Sequence, residues 1–469
     1  MNAMDVLLES LQKTIALKDG RVTVKDEAKL KTRVDGLIYE AVFGDGDAKA
    51  TARWLIWEIA QALGIRPASI HDLYTAVGRG AIDRPFTVPA MNLRMMAYDS
   101  ARAVFRAACA MNAGALIFEI ARSEMSYTDQ RPSEYTSAVL AAAIKEGYRG
   151  PVFVQGDHFQ VNAKKFAAAP DAEMKAVRDL VKEAIPAGFY NIDIDTSTLV
   201  DLNQPTTYEQ QRTNFERCAE LTRTVRELQP KGVTISVGGE IGEVGGKNST
   251  EEELRAFMDG YLKTLGGQTG ISKISIQTGT SHGGVVLPDG TLADVAIDFD
   301  VLKRLGEVAR KEYGLGGAVQ HGASTLPETA FGKFVENGAV EVHLATAFQT
   351  LVMDHESVPM SLRDEIRDWL FQNAADERKA KDTDEQFVYK TRKKAIGPFK
   401  RAFWNLPESA RMSIGMALEA RFSFLFDQLG IHDTAPYVAE HVHPAEVHQP
   451  KPAGAVKAVK AESVEGLAD

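Results

Sequence analysis

The chain has 469 residues, 64 acidic against 54 basic side chains, a formal net charge of −10, and 44% hydrophobic and 25% charged residues. That is the balance of a soluble globular protein able to bury a large core; it argues against nucleic acid or an anionic membrane as the main partner. No apolar run approaches the roughly 18 residues that a membrane span needs.

The N-terminal MNAMDVLLESLQKTIALKDG has acids inside its apolar stretch and does not read as a signal peptide. Two cysteines, Cys109 and Cys218, are too few for a disulfide scaffold and lack metal-site spacing. They point to a reducing, cytoplasmic setting and to two buried thiols in helical patterns.

Residues 1–82 read as a helical N-terminal extension, in which TARWLIWEIAQALG (51–64) shows helical spacing and stops near Gly64. From residue 83 the pattern changes to short β-type runs alternating with longer amphipathic stretches. The runs are 86–92, 115–120, 151–158, 189–196, 233–240, 271–279, 317–324 and 339–347. Between them lie helical stretches such as 99–114, 172–188, 250–267 and 298–314, several ending in Gly. Such alternation implies parallel strands with helical crossovers. Eight units over roughly 270 residues predict a (β/α)8 TIM barrel, an α/β fold spanning 83–354. No GxGxxG follows a strand, which weakens a dinucleotide-binding sheet.

Residues 355–435 read as a helical C-terminal extension. Within it YKTRKKAIGPFKR (389–401) is the one concentrated basic run, read as a solvated helix face or, alternatively, as reaching a neighbouring subunit's site to meet a substrate phosphate through Arg392. Residues 436–469, rich in Ala, Pro, Val, Lys and Glu without a packing period, read as a disordered tail.

Active-site residues of such a barrel lie at the C-terminal ends of its strands. Those ends carry Asp157 and His158, Asp195, Glu240, His282 and His321. Three imidazoles from three strands at one mouth predict a site for a borderline divalent ion such as Zn²⁺. Asp157 beside His158 requires the strand to end there, a break that Gly156 eases. The carboxylate is then placed either to move a proton at a bound substrate or to orient His158. Glycines around His282 and after His321 let backbone N–H groups approach an anion.

GDH (156–158), GGEIGEVGG (238–246), TGTSHGG (278–284) and HGAS (321–324), in that order, resemble the class II, metal-dependent fructose- and tagatose-bisphosphate aldolases. PAMN (89–92) is similar to that family's early substrate-binding asparagine, here Asn92. The resemblance implies that His158, His282 and His321 hold catalytic zinc, and that Asp157 is proton donor and acceptor at the scissile carbon. It implies further that Asp195 and Glu240 serve an alternative or second ion position. Gly283, Gly322 and Ser324 would bind substrate phosphate and a nearby monovalent cation. The implied activity is a zinc-dependent aldehyde-lyase acting on a ketose, phosphorylated in this family, through a metal-stabilised enediolate. Its setting would be carbohydrate metabolism such as glycolysis, in a homo-oligomer.

The chain departs from that pattern at three places, one of them Ala323, which replaces a second glycine in HGAS. Lys247 and Asn248 stand where the family has an acidic pair on a mobile loop, with Glu251, Glu252 and Glu253 a little further on. The eighth strand ends His343-Leu344-Ala345-Thr346, keeping only the threonine of the family's Asn-x-Asp-Thr. Thr346 and His343 are expected to contact substrate, His343 alternatively acting as a substitute acid/base or as a packed histidine. These departures motivate a second reading, epimerisation of a ketose or keto-uronate on the same scaffold. A third is a non-catalytic companion subunit of an aldolase.

Overall fold

The structure, a computed structural model, describes residues 2–242, 246–279, 297–452 and 463–468. Eight parallel strands close on themselves: β1 (Val88–Asn92), β2 (Ile117–Ala121), β3 (Gly150–Gln160), β4 (Asn191–Asp195), β5 (Ser236–Glu240), β6 (Lys273–Ile276), β7 (Ala318–Gln320) and β8 (Glu341–Leu344). Each pairs in parallel with its sequence neighbour, β8 returns to β1, and helices surround the ring. The chain is thus a (β/α)8 TIM barrel, as the alternation predicts. Every residue of β1, β2, β4 and β5 is buried, as strands covered by helices outside and packed side chains inside must be.

The region before the barrel is not wholly helical. Ile15–Lys18 and Arg21–Val24 form an antiparallel hairpin. Its turn is Asp19-Gly20, both at positive φ (51° and 75°), the Asp-Gly pair that fits the twist of a two-residue hairpin. A further strand, Ile65–Ala68, lies parallel to the start of β3. Asn191 sews it down, accepting from the Ile70 N–H at 2.8 Å and donating to the Ala68 carbonyl at 3.0 Å.

After the barrel, the helix Glu408–Gln428 buries Ile414, Leu418, Phe422 and Phe426, with Phe348 against Phe422 at 4.8 Å between ring centroids. The basic run is not simply a solvated face. Arg392 is 7% exposed and donates to Asp354 and to Thr350 Oγ1 of its own chain, and Lys400 is buried against Glu134. Cys109, expected to be buried, is exposed at the end of the helix Ala97–Ala110, whereas Cys218 is buried.

The stretch read as a disordered tail has partners where it is described. Trp54 and Trp57 donate their indole N–H groups to the carbonyls of Gln449 (2.9 Å) and Val447 (2.7 Å), and Glu58 meets His448. An extended segment can dock through its backbone without any packing period, which is why composition gave no hint of it. At its far end the Ala468 N–H donates to Gln160 Oε1 and its carbonyl accepts from Ser123, both at 2.7 Å. Among the described residues no helix is long and apolar enough to cross a membrane.

Candidate active site

The mouth is built around an irregularity in β3. Pairing of β3 with β4 shifts register between Gly156 and Phe159, and His158 sits at φ +39°. A non-glycine residue there costs about 1–3 kcal/mol and persists only where its surroundings enforce it. The strand therefore does not end at Asp157 as expected; it bulges and runs on to Gln160. The bulge is what turns two consecutive side chains into one mouth. Gly156 contributes by lacking a side chain, not by an unusual φ. A Cβ there would lie within 2.9 Å of three ring atoms of Phe159. Gly156→Ala is accordingly expected to destabilise the protein by about 1–3 kcal/mol through overpacking. A shift in the denaturation midpoint below that range would show that the Phe159 ring moves aside freely.

The imidazoles converge. Ring centroids are 4.4 Å apart for His158 and His321, and 4.0 Å for His321 and His343. His158 Nδ1 lies 3.2 Å from Asp195 Oδ2 and 3.7 Å from Glu240 Oε2, and His321 Nε2 lies 2.9 Å from Ser275 Oγ. Asp195 is fixed in turn by Gln160 at 2.5 Å and by the Ser197 N–H at 3.0 Å. A carboxylate on one ring nitrogen of a histidine sets which way the other nitrogen faces. His282 and Gly283 lie outside the described residues.

Asp157 joins both sides of the mouth. Its Oδ2 accepts from Asn92 Nδ2 at 2.9 Å, and its Oδ1 lies 3.2 Å from His343 Nδ1. Asn92 also donates to Glu124, so its amide nitrogen positions carboxylates. Ser324 Oγ accepts from the Ala345 N–H at 2.5 Å, next to Thr346, which opens the helix Thr346–Met353. Gly322, at φ +69°, makes the turn that carries Ser324.

Electrostatics here are strong because every partner is buried. Burial alone would lower the His158 imidazolium, but Asp157, and then Asp195 and Glu240, raise it to about 10. Burial likewise opposes ionisation of Asp157, yet the charges of His158 and His343 hold its carboxyl well below the usual range. Burial and the neighbouring Asp195 push Glu240 well up. Among the described residues four groups of three ligand atoms within 4.8 Å of one another could hold a cation: Asp157–His158–His321, His158–Asp195–Glu240, Asp157–Asp193–His343 and Glu119–Glu341–His343. Buried imidazole and carboxylate donors together suit zinc and other borderline divalent ions.

The family model for class II fructose-bisphosphate aldolase matches residues 74–402. The chain belongs to the class II fructose-bisphosphate aldolase family. That family is typically metal-dependent, in accord with these buried ligand groups. No curated protein matches the sequence. Similar solved structures include the fructuronate-tagaturonate epimerase UxaE from Cohnella laeviribosi, 13% identical, covering 90% of each chain with TM-score 0.54. They also include the YdjI aldolase from Escherichia coli K12, 14% identical, covering 78% of this chain and 99% of that one with TM-score 0.47. The fructose-bisphosphate aldolase from Campylobacter jejuni is 19% identical, covering 78% of this chain and 94% of that one with TM-score 0.44.

In this class II member the acids after the loop do not reach the mouth. Glu253 caps the helix Glu251–Leu265 through Thr250, Glu252 accepts from Thr207, and Glu251 pairs with Arg255. Asn248 donates to Asp298 at 3.1 Å. Several residues around the site escaped the sequence reading: Arg94, Glu119, Glu124, Asp193, Lys273 and Glu341, all buried. Their signal is a charged residue set inside an apolar strand run, as in ALIFEI and ISKISI, which in a soluble barrel has to be paired.

Proposed function

We propose that this protein is a divalent-metal-dependent lyase that cleaves or forms a carbon–carbon bond in a ketose. The observation that supports it best is the bulge in β3, which brings Asp157, His158 and His321 into one buried mouth. In this reading His158, His282 and His321 hold the ion, zinc being the best match to three imidazoles. Asp195 and Glu240 serve the neighbouring ion position. When bound, such an ion supplies Lewis acidity to the substrate carbonyl.

The chain's own groups do the rest. Asp157, ionised at neutral pH and held by Asn92, takes or returns the proton at the carbon where the bond breaks or forms. Gly322, Ser324 and Thr346 offer neutral donors to the far end of the substrate, and the family resemblance adds Gly283 and a monovalent cation there. His343 lines the same mouth and contacts substrate there. The protein acts in the cytoplasm as a homo-oligomer, in carbohydrate metabolism.

One observation favours a second reading, epimerisation of a ketose or keto-uronate. The three glutamates after Asn248 are committed to helix capping and surface pairs, so they do not replace the family's loop acids. Incubation of the metal-loaded protein with ketose phosphates, free ketoses and keto-uronates, followed by mass and NMR, separates the two. Aldehyde and ketone fragments are expected; a stereoisomer of unchanged mass would replace the lyase by the epimerase. His158→Ala is expected to lose at least tenfold in metal affinity, the lower end for removing a ligand's support, together with activity. Full metal content and turnover in that variant would sink both readings.

A further inference from the structure

The segment Ser463–Ala468 lies far along the chain from the barrel, yet it is bonded to the strand end that carries His158. Its middle is a turn: the Leu467 N–H donates to the Val464 carbonyl at 3.0 Å, and Gly466 sits at φ +78°. Glycine at positive φ in the third place of a four-residue turn is the type II pattern. A Cβ on Gly466 would stand 3.1 Å from Asn162 Nδ2, so the close approach also needs glycine. Four side chains just past β2 and β3 hold the segment by its backbone. Ser123 Oγ donates to the Ala468 carbonyl at 2.7 Å, and the Ala468 N–H donates to Gln160 Oε1 at 2.7 Å. Asn162 Nδ2 donates to the Glu465 carbonyl at 2.7 Å, and Lys165 Nζ to the Ser463 carbonyl at 3.0 Å.

These contacts fix which way two amides face. A side-chain amide has one accepting end and one donating end. Asn162 Oδ1 accepts from the Lys165 N–H at 3.0 Å, capping the helix Ala163–Ala168, so its Nδ2 is the end that meets the segment. Gln160 is oriented by the segment itself. With Oε1 taken by Ala468, its Nε2 faces the other way and donates to Asp195 Oδ2 at 2.5 Å. Asp195 Oδ1 already accepts from the Ser197 N–H (3.0 Å) and hydroxyl (2.7 Å). Oδ2 therefore bridges Gln160 and His158 Nδ1, the latter at 3.2 Å. The contacts run Ala468, Gln160, Asp195, His158, and all three side chains are buried. Without the segment, Gln160 Oε1 would lose its donor, and a flipped amide would set that oxygen against the carboxylate.

We propose that Ser463–Ala468 is a strap that positions the active site: it fixes the Gln160 amide, which aims Asp195 at His158 Nδ1 and leaves Nε2 of that ring for a divalent ion. Gln160 is then a positioning residue, and release of the strap weakens ion binding without altering any ligand. The inference rests on reading His158 as an ion ligand, and its test reads ion binding rather than turnover. Zn²⁺ affinity is measured by chelator competition on wild type, on Gln160→Met, on a chain lacking 463–469, and on the two changes combined.

Each single change is expected to weaken Zn²⁺ binding by about 10- to 100-fold, the cost of removing the outer support of a metal-bound histidine. The combined change should cost no more than Gln160→Met alone, because the strap acts through that amide. Gly466→Val in the whole chain should reproduce the deletion, since the turn no longer forms. A peptide of residues 463–469 at millimolar concentration, the range of a tethered segment, should restore affinity to the shortened chain and not to its Gln160→Met form. Wild-type affinity in the shortened chain, or losses that simply add, overturns the inference and leaves the metal site standing. A wild type that binds no Zn²⁺ overturns it together with the metal-dependent reading.

Discussion

Asp157→Asn is expected to lower kcat by roughly 10²- to 10⁴-fold, the range for losing a positioned acid–base group, with the metal content unchanged. Asparagine keeps the size of the side chain, and its oxygen can still accept from Asn92 where Oδ2 does now. What it loses is the ability to take a proton. Burial would favour the neutral acid, but the charges of His158 and His343 hold the carboxyl well below the usual range; with metal bound, the ion would supply the positive charge that His158 gives up as a ligand, so the carboxylate is available as a base throughout the neutral range. Asp157→Glu separates charge from geometry: the carboxylate survives, one methylene displaced from the bulge, and recovery should be partial. The measurement is steady-state kcat with metal analysis on the same samples. A kcat for Asp157→Asn within threefold of wild type would move the proton transfer to another group, of which His343 is the nearest at 3.2 Å.

The barrel was legible because its strands are short apolar runs set at regular intervals between amphipathic stretches, a local and repeated pattern. Each of the eight runs overlaps an observed strand; Asp195 and Glu240 close β4 and β5, His321 directly follows β7, and Asp157 and His158 lie in the bulge near the end of β3. The Asp19-Gly20 hairpin was also visible in principle, but its strands are four residues each inside a helix-rich region. The bulge at His158 could not be read. It depends on the Phe159 ring filling the space that Gly156 vacates, and on register against β4. Nor could the polar interior of the barrel, since its partners are distant in sequence: Lys273 meets Glu341 68 positions on, and Tyr74 meets Glu341 across 267. Local pattern shows which residues face inward. It does not show which inward charges meet.

That interior carries the largest stability effect expected here. Lys273→Met should destabilise the protein by about 3–5 kcal/mol, the cost of stranding a buried charge. Lys273 is 1% exposed, and its ammonium donates to Gln155 at 2.8 Å, to Asp193 at 3.0 Å and to Glu341. Glu341 also accepts from Tyr74 and lies 2.6 Å from His343 Nε2, so the loss reaches the floor of the active site. Burial would raise the Glu341 carboxyl, but Lys273, and then His343, hold it down to about 2. The stability tied to this group is therefore complete above pH 4.5 and is lost as pH falls towards 2. In Lys273→Met the sign reverses: protonation relieves the stranded carboxylates, so the gap to wild type should narrow on acidification. Urea denaturation at neutral and acid pH measures both, and Lys273→Met/Glu341→Gln should regain more than half the loss because the two sites are coupled. A neutral-pH loss below about 1 kcal/mol, the scale of an exposed ion pair, would mean that water or a bound cation takes the place of the ammonium.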